Sequence, residues 1–133
     1  ACDWSSDVCS SDLGLLQRLG GPLTAPPDNP VESLADGETV GTFTVYHTPG
    51  HTPGHVSYVS EALSAAFLGD LVRESHGKLR PSPWPISYDT DDVAESIRSL
   101  AERAPPFEVA GMGHGVPFER GGSNRLAEVA ATV

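Results

Sequence analysis

His47, His51 and His55 recur every fourth residue in the segment HTPGHTPGH, Asp70 closes the segment FLGD, and His114 sits between two glycines in GHG. On a helix the first three rings would share one face, but Pro49, Gly50, Pro53 and Gly54 exclude a helix there. The spacing therefore belongs to a loop leaving a strand, which points only some of these rings into one site. Proline narrows the backbone freedom of such a loop and glycine permits its close turns. Asp70 and His114 each follow an apolar stretch and a glycine, a pattern that delivers a polar side chain to a sheet edge. Imidazoles together with a carboxylate suit zinc or another borderline divalent ion. His76 stands outside these motifs.

The elements that must position these residues alternate in type. Residues 39–47 (TVGTFTVYH) are rich in β-branched and aromatic side chains and predict a strand. Residues 56–60 (VSYVS) and 64–68 (SAAFL) predict two more, with Glu61-Ala62 as a tight connection. Residues 71–88 read as irregular because Pro81, Pro83 and Pro85 crowd the stretch RPSPWP. Asp89 to Asp92 start a helix whose apolar face is Val93, Ile97, Leu100, Ala101 and Ala104, and Pro105-Pro106 stop it. A strand over 107–112 leads to Gly113, and Leu126, Val129 and Ala130 suit a terminal helix. Leu15 to Leu19 reads as the end of a helix halted by Gly20-Gly21-Pro22. The order is a mixed α/β pattern.

The chain has 133 residues and a formal net charge of −10, enough length for one domain with a core. Clustered Lys and Arg are missing, which argues against nucleic acid as a partner. No apolar run is long enough to span a membrane. The first thirteen residues, ACDWSSDVCSSDL, have no basic or apolar region of a signal peptide, so a cytoplasmic location is expected. Asp3 to Leu13 resembles one translated frame of a common short-read sequencing adapter. Residues 1–13 are therefore set aside as non-native, and both cysteines, Cys2 and Cys9, go with them. Without Asp3, Asp7 and Asp12 there remain 15 acidic against 8 basic residues, so the chain stays acidic.

HTPGHTPGH, FLGD and GHG, separated by about twenty and about forty-five residues, make the chain resemble the C-terminal half of a metallo-β-lactamase-fold hydrolase of the glyoxalase II-like superfamily. The resemblance covers roughly residues 31–120 and implies half of an αββα sandwich, a mixed sheet with flanking helices. It implies that His51 is a ligand of a first metal, that His114 is a ligand of a second, and that Asp70 bridges them and orients a hydroxide. His55 is then a supporting neighbour of the site and His47 a structural residue. The implied cofactor is zinc, one or two ions, with iron or manganese as other occupants. The implied activity is cleavage of an ester, thioester, lactone or related bond in a small-molecule substrate by metal-activated hydroxide.

One family feature is missing from the sequence. Such hydrolases carry a HxHxDH motif in their N-terminal half, and this chain has none. Residues 14–133 are accordingly expected to form a partial domain, inactive as it stands, with the inner face of its sheet uncovered. Phe43, Val45, Val56, Tyr58, Ala66, Leu68 and Val109 are the expected residues of that face, and a self-associating chain is one consequence. Two other readings accompany the hydrolase. One is a non-catalytic half-domain that binds a partner or dimerises, and the other is an enzyme similar to the mononuclear iron persulfide dioxygenases. Fold alone does not choose among substrates.

Overall fold

The structure, a computed structural model, describes residues 32–133. The helix end expected at 15–19 and the segment 1–13 lie outside the described residues. Among the described residues seven strands, two helices and two short 3-10 turns follow one another. Strands β1 (Thr39–Val40), β2 (Phe43–His47), β3 (Val56–Ser60), β4 (Ala65–Phe67) and β7 (Val109–Gly111) make one sheet in that spatial order. All neighbours are antiparallel except β4 and β7, which run parallel. Strands β5 (Val72–Ser75) and β6 (Lys78–Pro81) form a separate hairpin. Helices α1 (Thr90–Arg103) and α2 (Gly122–Ala130) pack against each other.

Two local expectations needed revision. The stretch 39–47 is not one strand but a hairpin, because a turn at Gly41-Thr42 folds β1 back on β2. The stretch 71–88 is not irregular throughout. Pro81 is tolerated in β6 because it is the last residue of an outer strand, where a missing N–H interrupts nothing.

Helix α1 begins where its capping chemistry says it should. The Asp89 carboxylate accepts from the N–H groups of Asp91 and Asp92 at 2.8 and 3.1 Å, satisfying donors that the first helical turn leaves orphaned. Asp91 and Asp92 add negative charge at the positive end of the helix dipole. Val93, Ile97 and Leu100 recur at helical spacing and are buried, each worth about 1.5–3 kcal/mol in transfer from water. They join Tyr46, Val59, Ala66, Leu68, Leu71 and Ala110 in one core.

Strand periodicity decides which face of the sheet that core occupies. Cross-strand partners share a face, so Thr44, Val59, Ala66 and Ala110 look the same way, toward the buried cluster. The alternate residues Phe43, Tyr58, Phe67 and Val109 look the other way. Phe67 remains 55% exposed there, with the Phe43 ring 5.5 Å from its own. Ala66 and Leu68, expected on the uncovered face, are instead in the core, and Val45 is fully buried. No helix among the described residues is long and apolar enough to cross a membrane.

Candidate metal centre

The parallel pairing of β4 with β7 puts two of the predicted residues side by side. Phe67 is the register partner of Gly111, and Asp70 and His114 each lie three residues further along. The third residue arrives by the antiparallel neighbour. Strand β3 starts where β4 ends, so the loop 48–55 that precedes it reaches the same sheet edge. That loop is fastened from outside. Ser96 on α1 donates to the Pro49 carbonyl at 2.7 Å, the Asp89 N–H donates to Gly50 O at 2.8 Å, and the Tyr88 N–H donates to His51 O at 3.2 Å.

Asp70 occupies the centre of the group, on the 3-10 turn Gly69–Leu71. Its Oδ2 lies 3.7 Å from His51 Nε2 and its Oδ1 lies 3.4 Å from His114 Nε2. Oδ1 is buried and has no hydrogen-bond partner among the described residues. A buried carboxylate oxygen without a donor is an unfavourable arrangement that native proteins rarely leave unexplained. It is made possible by Gly113. A Cβ at that position would stand 2.1 Å from Asp70 Oδ1, so only glycine leaves room for the carboxylate.

The three evenly spaced histidines have different fates. His47 Nε2 is bonded to the Pro53 carbonyl at 2.9 Å, which closes the loop, and the His47 backbone N–H donates to Asp36 Oδ1. His55 Nε2 accepts from the Asp70 N–H at 3.0 Å, so that nitrogen carries a lone pair committed to the backbone. The His55 proton must then sit on Nδ1, where the Thr48 carbonyl at 3.1 Å and Thr48 Oγ1 at 2.9 Å receive it. Burial holds His55 below the ordinary imidazole range, in keeping with a neutral ring. Of the three, only His51 turns Nε2 toward the Asp70 carboxylate, while its Nδ1 lies 3.3 Å from Ser82 Oγ.

His114 is 69% exposed at its side chain and is positioned through its backbone. The Glu74 N–H donates to His114 O at 3.0 Å, and Glu74 Oε2 accepts from the Val116 N–H at 3.3 Å. The Gly77 N–H, at 2.7 Å from Oε1, and the Val116 N–H together hold the Glu74 carboxyl below the usual carboxylate range. His76 lies apart, with its ring against Ser75 in the β5–β6 turn. Among the described residues no three or more His, Cys, Asp and Glu side chains stand close enough together to hold a metal ion as they are. His51, Asp70 and His114 converge pairwise on one carboxylate instead. A carboxylate with an imidazole at each oxygen, one of those oxygens buried and without a donor, fits the donor chemistry of a divalent cation.

The sequence model of the metallo-beta-lactamase superfamily matches residues 6–114. The chain belongs to this superfamily. Solved structures agree with the assignment. The protein TTHA1623, crystallised in a di-iron-bound form, is 27% identical with a TM-score of 0.60, over 82% of this chain and 52% of its own. The metallo-beta-lactamase family protein TTHA1429 from Thermus thermophilus is 28% identical with a TM-score of 0.59, over 80% of this chain and 36% of its own. The BLEG-1 B3 metallo-beta-lactamase is 28% identical with a TM-score of 0.54, over 70% of this chain and 44% of its own. The chain thus spans about half or less of the length of these structures. No curated protein matches it in sequence.

Within this metallo-β-lactamase fold, three contributors to the site were not singled out from sequence. Gly113 appeared only as a flank of His114, although its want of a side chain is what admits the Asp70 carboxylate. Ser82 and Glu74 lie in the stretch read as irregular, and hairpin pairing is what brings them to His51 and to the His114 loop.

Proposed function

We propose that this chain carries one side of a metal-dependent hydrolase site, in which His51, Asp70 and His114 hold one or two divalent ions. The observation that carries the reading is the Asp70 carboxylate with an imidazole at each oxygen, His51 Nε2 at 3.7 Å from Oδ2 and His114 Nε2 at 3.4 Å from Oδ1, which is itself buried and without a hydrogen-bond donor. Zinc and iron both suit nitrogen and carboxylate donors, and one similar structure is a di-iron form. An ion bound there would supply a Lewis acid and make hydroxide available near neutral pH. The chain's own residues have distinct tasks. Asp70 spans the two histidines with its two oxygens, His51 is aimed by Ser82 and by the fastened 48–55 loop, and His114 stands at the solvent side. The substrate is a small molecule with an ester, thioester, lactone or related bond. With these three ligands alone, the 133-residue chain is expected to bind metal weakly and to turn over such substrates poorly.

Zinc and ferrous ion titrations monitored by calorimetry test the assignment, with Asp70→Asn and His114→Ala beside the unchanged chain. Binding that is lost or cut about tenfold or more in Asp70→Asn supports it. Equal binding by all three proteins overturns it.

A further inference from the structure

The His55 ring is one link in a longer chain of hydrogen bonds. Ser57 is fully buried on β3, and its hydroxyl donates to the Leu68 carbonyl at 3.4 Å. Thr48, also buried, has Oγ1 3.1 Å from Ser57 Oγ and 2.9 Å from His55 Nδ1. His55 Nε2 in turn faces the Asp70 N–H. The two ends of this chain are chemically one-way. An amide N–H only donates and a carbonyl only accepts. With Ser57 committed to Leu68 O, the Thr48 hydroxyl donates to Ser57 and accepts from His55 Nδ1–H, and His55 Nε2 accepts from Asp70 N–H. Every bond then runs in one direction, from the Asp70 amide to the Leu68 carbonyl, and no donor is left facing another donor.

The start and end of the chain lie two residues apart on the same turn. The loop of side chains is a clamp on Leu68, Gly69 and Asp70. Gly69 permits the closure, because its φ is +56° and a Cβ there would stand 2.6 Å from His55 Nε2. Hydrogen bonds in series polarise one another, and a buried network of this kind is worth most when every member is satisfied.

We infer that Thr48 and Ser57 are positioning residues, which set the orientation of Asp70 through the neutral Nδ1–H form of His55. The inference about aim rests on the proposed role of Asp70 as a metal ligand. The clamp itself does not, so the two can fail separately.

The test uses the metal-free chain first. Amide hydrogen exchange at Asp70 is compared with that at Val59, and the His55 ring nitrogens are read by long-range nitrogen–proton NMR correlation. In Ser57→Ala and Thr48→Val the Asp70 amide is expected to exchange about tenfold faster relative to Val59. The His55 ring signals should also shift, with the Thr48 carbonyl still holding the proton on Nδ1. Thr48→Ser, which keeps the hydroxyl, should restore both readouts. Unchanged ring signals and unchanged relative exchange in Ser57→Ala would overturn the clamp. Should a variant unfold, the unchanged chain still decides, because an Nε2–H signal from His55 contradicts the inferred direction. Zinc affinity is then measured on the same proteins. A fall of about tenfold in Ser57→Ala supports the aiming role, and an affinity equal to the unchanged chain removes it. Failure of the unchanged chain to bind zinc or iron counts against the metal reading and leaves the exchange result to judge the clamp.

Discussion

Gly113→Ala is the sharpest single perturbation that the site offers. Its Cβ would lie 2.1 Å from Asp70 Oδ1 and 2.9 Å from Cγ, distances that no relaxed protein tolerates. The carboxylate must retreat by about 1 Å, and a misplacement of that size in a functional group is worth about a hundredfold. Changes to residues supporting metal ligands commonly cost about 10- to 100-fold in affinity. The expected loss of metal affinity is therefore about 1.4–2.7 kcal/mol. Metal-free stability should behave differently. Gly113 is not in the left-handed region, so alanine fits its backbone, and a less flexible unfolded chain returns about 0.4–1 kcal/mol. Turning the buried oxygen toward solvent also relieves an unsatisfied acceptor. The assay pairs competition for zinc against a chromophoric chelator with thermal unfolding in excess chelator. Weakened zinc binding with an undiminished metal-free melting temperature is the predicted outcome. Zinc affinity within about twofold of the parent, or a metal-free destabilisation beyond about 2 kcal/mol, refutes the reasoning.

Other expectations follow from the same structure. Leu100→Ala, which empties a fully buried position of the core, should lower stability by about 2–5 kcal/mol in urea unfolding, and a loss under about 1 kcal/mol would contradict the packing. Phe67→Ser acts on an exposed ring, so stability should move by about 0.5 kcal/mol or less while self-association in sedimentation velocity declines; unchanged association would absolve the Phe43–Phe67 face. Asp36 is held below its usual range chiefly by its ion pair with Arg103. The unfolded chain therefore takes up the proton first, and the contribution is present above about pH 3.8 and lost as pH falls through the lowered folded value. Because both partners are partly exposed it amounts to under about 1 kcal/mol. Asp36→Asn should flatten the decline in urea midpoint between about pH 5 and pH 3 by that amount, and an unaltered slope would exclude the pair as its source.

The sequence was most legible where one local rule dominates. Asp89 and the Val93, Ile97, Leu100 series marked α1 because capping and helical period agree, and the Phe-Leu-Gly-Asp and Gly-His-Gly motifs lay at strand ends as expected. The histidine spacing alone did not reveal which ring faces Asp70. That distinction depends on Thr48 and the Asp70 amide engaging His55, and on Pro53 engaging His47, contacts made only after the loop has closed. The β5–β6 hairpin was missed because Pro81 suppressed a strand that an outer position tolerates. The buried face was misjudged at Ala66 and Leu68 because a run of apolar residues does not state its own register, and one residue of slip exchanges the faces.

The parallel pairing of Ala66 with Ala110 has a kinetic meaning as well. Strands β2, β3 and β4 are joined by short connections, so their contacts close small loops and form early. The β4–β7 pair must close a loop of about 44 residues, through the β5–β6 hairpin and all of α1, before it yields any contact energy. His51, His55 and Asp70 are thereby assembled on the early meander, and His114 is delivered last. Folding φ-values should accordingly be higher at Val45 and Val59 than at Ala110 and at Phe118, whose backbone pairs with that of Ala110, and the reverse order would contradict this sequence of events. A chain caught before that final step would already hold Asp70 against two rings, with its third imidazole still unplaced.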